Sequence, residues 1–63
     1  MTLSEAKQKA INEIAACKHA TFQIWKVGNI FFMQEYVLNG KKKEFYGHTF
    51  RIDFDNKTLT PVI

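Results

Sequence analysis

The side chains that could perform chemistry in this 63-residue chain are few and widely spaced. Cys17 and His19 are separated by one residue, and His48 is the only other cysteine or histidine. Zinc sites usually take paired Cys or His ligands that are separated by about two to five residues, and that spacing does not occur here. On a helix, Cys17 and His19 would also point about 200° apart. The spacing therefore predicts no metal site and no cofactor.

Two other arrangements could support catalysis, and each has a simpler explanation. Cys17 could act as a nucleophile with His48 as its base, but a cysteine among apolar residues is usually inert. Asp53 and Asp55 would point to one side of a strand, where paired carboxylates bind a cation or exchange protons. Arg51 on the same side offers them charge compensation, which favours a solvated edge strand. A chain this short rarely encloses a ligand pocket. We therefore predict that the protein is not an enzyme and has no small-molecule substrate.

The first 17 residues carry the periodicity of a helix. One apolar residue recurs every three or four positions, as Leu3, Ala6, Ala10, Ile14 and Cys17. This spacing lines a single stripe of an amphipathic helix. Thr2 and Glu5 have the spacing of a capping box, which places the helix start near Leu3. We predict a helix that contains all five stripe residues, with Cys17 as a small buried hydrophobe and Ile14 as a main anchor.

From Thr21 onward the apolar spacing becomes that of strands. Gly28-Asn29 and Asn39-Gly40 separate three apolar runs, and each dipeptide is a two-residue hairpin signal. The resulting fold class is α+β. We expect one domain over residues 1–63, in which the N-terminal amphipathic helix packs on one face of a three- to four-stranded antiparallel β-meander.

The two turns also predict the strand register. The expected facing pairs are Trp25 with Phe32, Ile24 with Met33, Phe22 with Glu35, Met33 with Tyr46, and Phe31 with His48. Gly47-His48 is either a bulge within one long strand or a further turn. A turn over residues 55–58 precedes a short edge strand within residues 59–63. This order of a lead helix, a meander and the 55–58 turn is similar to that of the PepSY-type interaction domain, and the similarity is confined to that arrangement.

The alternation of side chains divides the apolar residues between two sheet faces. One face, which we assign to the helix, collects Phe22, Ile24, Phe31, Met33, Val37, Tyr46, Phe50, Ile52 and Phe54. The opposite face collects Trp25, Val27, Ile30, Phe32, Tyr36, Leu38 and Phe45. One helix covers only one face, and large exposed apolar patches mark interaction sites. The alternative is a different register, in which some of these residues belong to an ordinary core.

The uncovered face predicts a small non-enzymatic interaction protein of the regulator or inhibitor type. Its partner is a protein or a second copy of the chain, so the protein is expected to be oligomeric or bound. The expected partner-binding residues are Trp25, Ile30, Phe32, Tyr36 and Phe45.

A single-stranded nucleic acid is the second interpretation of the same face. The aromatic side chains would stack on bases, while phosphates would contact Lys41, Lys42, Lys43 and Arg51. The net charge is only +3, and the acidic Glu35, Glu44 and Asp53 lie among these basic residues in sequence. The nucleic-acid interpretation therefore ranks below protein binding.

Cysteine use and hydropathy predict the compartment. A single cysteine cannot form an internal disulfide, which favours a reducing cytoplasm. The N-terminal segment is polar and resembles no signal peptide. No apolar run approaches the roughly 20 residues that span a bilayer. We therefore expect a cytoplasmic protein without a membrane segment.

Overall fold

A computed structural model describes residues 1–63, the whole of the printed chain. Its elements are the helix α1 (Leu3–Glu13), a 3₁₀ turn (Ala15–Cys17), and the strands β1 (Phe22–Val27), β2 (Ile30–Asn39), β3 (Lys42–Phe45), β4 (Phe50–Asp53) and β5 (Thr58–Pro61). The predicted α+β class, with a helix on an antiparallel sheet, is confirmed. The predicted count of three to four strands is wrong, because the sheet has five.

The helix begins where its capping residues place it and ends earlier than its apolar stripe suggests. The Thr2 hydroxyl accepts a hydrogen bond from the Glu5 N–H at 3.1 Å, and the Glu5 carboxylate accepts from the Thr2 N–H at 2.9 Å. The α-helix stops after Glu13, because Ile14 adopts an extended conformation (φ −109°, ψ 114°). The 3₁₀ turn that follows still carries Cys17 into the core. Ile14 and Cys17 are therefore buried, as predicted, although neither belongs to α1.

Two hairpins of the same kind fix the register of β1, β2 and β3. The Gly28-Asn29 turn is confirmed, because Val27 pairs with Ile30. The second turn is Gly40-Lys41 and not the predicted Asn39-Gly40, because Asn39 pairs with Lys42. In both hairpins glycine occupies the first turn position with positive φ, 62° at residue 28 and 65° at residue 40. A glycine there accepts a backbone conformation that other residues adopt only with strain.

The one-position shift of the second turn changes the pairing beyond it. The predicted pairs of β1 with β2 are confirmed, whereas the predicted pairs Met33 with Tyr46 and Phe31 with His48 are wrong. Tyr46 instead lies beside Glu35, whose carbonyl oxygen accepts from the Tyr46 N–H at 3.1 Å.

The segment from 42 to 53 is one strand path broken in the middle. β3 and β4 both pair antiparallel with β2, through Tyr36 with Phe45 and Phe32 with Arg51. Residues 46–49 bulge out of the ladder between them, with Gly47 at φ 72°. The Gln34 side-chain amide donates to the Gly47 carbonyl oxygen at 3.2 Å and so ties the bulge to β2. This interruption, together with β5, accounts for the larger strand count.

The core lies between α1 and one sheet face, as predicted. The buried residues are Ala6, Ala10, Ile14, Cys17, Phe22, Phe31, Met33 and Ile52. Ile24, Phe50, Phe54 and Leu59 pack against them, partly buried. Ala6 and Ala10 are 0% exposed, so the helix axis can lie close to the sheet. Val37 and Tyr46 share this face but are half exposed, because the short helix does not extend over them.

Asp53 closes the turn between β4 and β5 and is expected to make stability depend on pH. Its carboxylate accepts from the Asn56 backbone N–H at 3.1 Å and from the Asn56 side-chain amide at 2.9 Å. These bonds hold the pKa of Asp53 below its usual value of 3.8. The folded state therefore binds this proton less readily than the unfolded state. The contribution of Asp53 is complete above about pH 4 and is lost as the pH falls through its folded-state pKa.

We expect Asp53→Asn to reduce the loss of stability between about pH 5 and pH 2. Urea denaturation at several pH values measures this slope. Asp55→Asn, on the same turn, is the matched control and should change the slope less. Identical slopes for the wild type and Asp53→Asn would contradict the assignment.

Candidate protein-interaction face

The face of the sheet opposite α1 carries a continuous set of large apolar side chains. We call it the aromatic face and define it by Trp25, Val27, Ile30, Phe32, Tyr36, Leu38 and Phe45. Leu38 is 64% exposed and Phe45 is 46% exposed, whereas Trp25, Phe32 and Tyr36 are half-buried by their neighbours within the sheet. No element of the chain packs over this face, and its residues are absent from the core cluster. All five predicted partner-binding residues therefore lie on one surface.

The strand register arranges the four aromatic rings as two pairs. Trp25 and Phe32 are cross-strand partners, and their rings stack with centroids 6.1 Å apart and an interplanar angle of 21°. Tyr36 and Phe45 face each other across β2 and β3 with centroids 5.5 Å apart. Rings held by cross-strand contacts lose little conformational entropy when a partner covers them. The aromatic face is therefore an ordered surface before any partner binds.

Two of the four predicted basic contacts lie on the aromatic face. The ammonium of Lys43 sits 5.0 Å from the centre of the Tyr36 ring and donates to the Gln23 side-chain oxygen at 3.2 Å. Arg51 is the cross-strand partner of Phe32 and therefore shares its face. Lys42 pairs with Asn39 and projects from the opposite face, and Lys41 is in the hairpin turn. The lysine run is therefore divided between three environments.

Two of the three acidic residues that neighbour these cations in sequence lie on the other face of the sheet. Glu35 faces the helix side, where its carboxylate accepts from the Tyr46 hydroxyl at 2.9 Å and raises the pKa of that phenol. Glu44 is on the same side and accepts from the Asn39 side-chain amide at 2.8 Å. Asp53 lies on the aromatic side, two positions from Arg51, and its carboxylate accepts from the Asn56 N–H. Glu35 and Glu44 therefore lie on one face and Lys43 on the other, although the three residues are close in sequence.

Gln34 is a residue of this surface that sequence reasoning missed. It lies between Phe32 and Tyr36 on β2 and is half-buried. Its position was available from the alternation of β2, since every even-numbered residue from 30 to 38 points to the aromatic face. Gln34 was missed because the face was predicted from its apolar residues and glutamine is polar.

Asp53, Asp55 and Arg51 line one open cleft together, whereas Cys17, His19 and His48 are not brought together. Cys17 is 0% exposed. Burial raises the pKa of its thiol, and the negative charge of Glu35 raises it further. His19 and His48 are exposed, and the His48 ring lies edge-on to Phe50 at 6.3 Å. No group of three or more His, Cys, Asp or Glu side chains is arranged to hold a metal ion. Two open clefts of about 500 and 490 Å³ are present, and neither is lined by Cys17 or a histidine.

We expect the Cys17 thiol to react slowly in the native protein. The thiolate is the reactive form, and both the burial and the raised pKa of Cys17 oppose it. Labelling with a chromogenic disulfide reagent should be slow in buffer and complete within minutes in concentrated urea. Equal rates in the two solvents would show that Cys17 is exposed.

The fold and this face together define a small α+β protein with one covered and one uncovered sheet face. No known protein-family model matches the chain, no curated protein matches it, and no solved structure matches it. No helix in the structure has the length and apolar character needed to cross a membrane.

Proposed function

We propose that this protein is a small non-enzymatic interaction protein that binds a protein partner or a second copy of itself through its aromatic face. With a different protein as its partner, it acts as a regulator or inhibitor by occupying a surface of that protein. The lone buried Cys17 suits a reducing cytoplasm as the place of action.

The observation that carries this proposal is the uncovered aromatic face itself. Val27, Ile30, Leu38 and Phe45 are 62%, 46%, 64% and 46% exposed and adjoin the half-buried rings. Contiguous apolar surface of this kind costs free energy in water and is typical of interaction sites. Trp and Tyr on this face, with Arg51 beside Phe32, match the residue types that are enriched at protein interfaces.

Site-directed photocrosslinking tests the proposal with a matched pair of positions. Leu38 and Val37 are adjacent, both apolar and exposed at 64% and 51%, but they project from opposite faces. A benzophenone amino acid at position 38 should yield protein adducts in the cells that make this protein, and one at position 37 should not. Equal adducts at the two positions, or none at position 38, would contradict the proposal.

Single-stranded nucleic acid is the second candidate, and the separation of charge favours it. Lys43 and Arg51 are on the aromatic face, while Glu35 and Glu44 are on the other. Two neutralised phosphates predict a salt dependence of log affinity with a slope of magnitude about 1.4, and such binding is weak at physiological salt. Submicromolar affinity for an oligonucleotide, together with nucleic-acid adducts from position 38, would make this the better interpretation.

A further inference from the structure

The residues of β2 on the aromatic face form a palindrome of side-chain types. From one end to the other they are aliphatic, aromatic, glutamine, aromatic and aliphatic, as Ile30, Phe32, Gln34, Tyr36 and Leu38. An interface with two-fold symmetry requires a self-complementary surface, in which residue i contacts residue j and residue j contacts residue i. The residues on either side of Gln34 are therefore self-complementary in their apolar contacts.

The charges on the neighbouring strands β3 and β4 are also self-complementary. Lys43 lies next to Leu38 at one end of β2. Arg51 pairs with Phe32, so Asp53 lies next to Ile30 at the other end. A two-fold rotation about an axis that crosses the strands at Gln34 exchanges these two ends. It brings Lys43 of each copy to Asp53 of the other, and the same rotation sets Arg51 against the Phe45 ring.

We propose that the occupant of the aromatic face is a second copy of this chain, packed face to face and antiparallel about Gln34. This inference rests on the proposed function and names its partner. In the dimer, Phe32 packs on Tyr36 of the second copy and Ile30 packs on Leu38. Each of these contacts occurs twice, and the two Gln34 side chains meet on the axis. Aligned packing of two sheets about 10 Å apart leaves room for these interdigitating side chains.

The other simple two-fold axis runs along β2 and fits the surface less well. It would set Leu38 against Leu38 and Trp25 against Arg51, which are acceptable contacts. It would also set Asp53 against the apolar Val27 of the second copy and leave Lys43 without a carboxylate. Only the axis across the strands brings Lys43 of one copy to Asp53 of the other. Electrostatic complementarity therefore favours that arrangement.

The size of the patch sets the expected strength of association. The eight residue steps from Ile30 to Leu38 span about 26 Å of strand, and covering this strip on both copies removes on the order of 1,000 Å² from water. That area is at the low end for specific interfaces, so the dimer should dissociate in the micromolar range and depend on protein concentration.

Molar mass by light scattering across protein concentrations tests the association. The mass should rise from 7.4 kDa toward twice that value. Leu38→Ser should weaken association on the order of tenfold or more, because symmetry repeats the lost contact. Its control Val37→Ser, on the other face, should leave it unchanged. A monomer at millimolar concentration would overturn the inference. The proposed function would survive that result if position 38 still formed adducts with another protein.

Charge reversal tests the contact between copies. Lys43→Asp should weaken the dimer several-fold, whereas Lys42→Asp, on the opposite face, should not. Mixing Lys43→Asp with Asp53→Lys should restore association, because each pair in the mixed dimer is again of opposite sign. Folding of both variants is checked by circular dichroism, and no restoration on mixing would overturn the pairing.

The distance between two labels distinguishes the two axes without altering the interface. Lys41 is exposed at the hairpin tip, seven residues after Gln34 and about six residue steps from it along the strand direction. A spin label on Lys41→Cys should give a separation between copies of about 40 Å for the antiparallel dimer. A separation below about 20 Å would indicate the axis along β2 and overturn the proposed arrangement.

Discussion

Replacement of Phe22 by alanine is expected to leave most of the chain unfolded in buffer at 25 °C. Phe22 is 1% exposed and is among the largest fully buried side chains. Truncating a buried phenylalanine costs about 3–5 kcal/mol. A core in a chain of this size supplies only about 3–5 kcal/mol of net stability. The loss is therefore comparable to the whole stability of the fold.

Far-ultraviolet circular dichroism and urea denaturation measure this effect. Phe45→Ala is the matched control, because it removes the same atoms from a side chain that is 46% exposed on the aromatic face. The control should retain the wild-type spectrum. A cooperative unfolding transition for Phe22→Ala close to that of the wild type would show that the helix covers a different face.

Replacement of Ile14 by alanine is expected to cost about 2–5 kcal/mol of folding free energy. Ile14 is 3% exposed and lies where the extended backbone links α1 to the 3₁₀ turn. Its side chain joins the core between Ala10 of α1 and Cys17 of the 3₁₀ turn. The cavity left by truncation lies between the helix and the sheet, which cannot collapse without moving that link.

Leu3→Ala is the control for Ile14→Ala, because both residues belong to the predicted helical stripe. Leu3 is 43% exposed, so its truncation should cost less than about 1 kcal/mol. Urea midpoints of the two variants give the comparison. Equal midpoints for the two variants would contradict the prediction, because they would show that burial does not determine how much each residue contributes to stability.

The elements with local signals were predictable from the sequence. The Thr2–Glu5 capping box and the Gly28-Asn29 turn each depend on a few adjacent residues, and both occur where those residues place them. The division of the sheet into a helix face and an aromatic face followed from alternation alone. Alternation survived the error at the second hairpin, because a shift in pairing of two residues preserves which side chains share a face.

The second turn and the strand pairing after it were not predictable from the sequence, because neighbouring residues offer turns of similar quality. Asn39-Gly40 and Gly40-Lys41 are both acceptable turns, and the choice between them sets the pairing of every residue that follows. The bulge at residues 46–49 absorbs the difference between the β3 and β4 registers, and nothing adjacent in sequence requires it. The positions of Glu35 and Glu44 on the helix face depended on the same register. The aromatic face is therefore less acidic than the sequence order of its charged residues suggests.

Fluorescence quenching of Trp25 tests most directly whether a second copy covers the aromatic face. Trp25 is the only tryptophan of the chain and belongs to that face, so its emission reports on the surface without a label. The acrylamide quenching constant of Trp25 should fall as the protein concentration rises from submicromolar to hundreds of micromolar. Leu38→Ser should remain readily quenched at both concentrations, and Val37→Ser should follow the wild type. A quenching constant that is the same at every protein concentration would contradict the account.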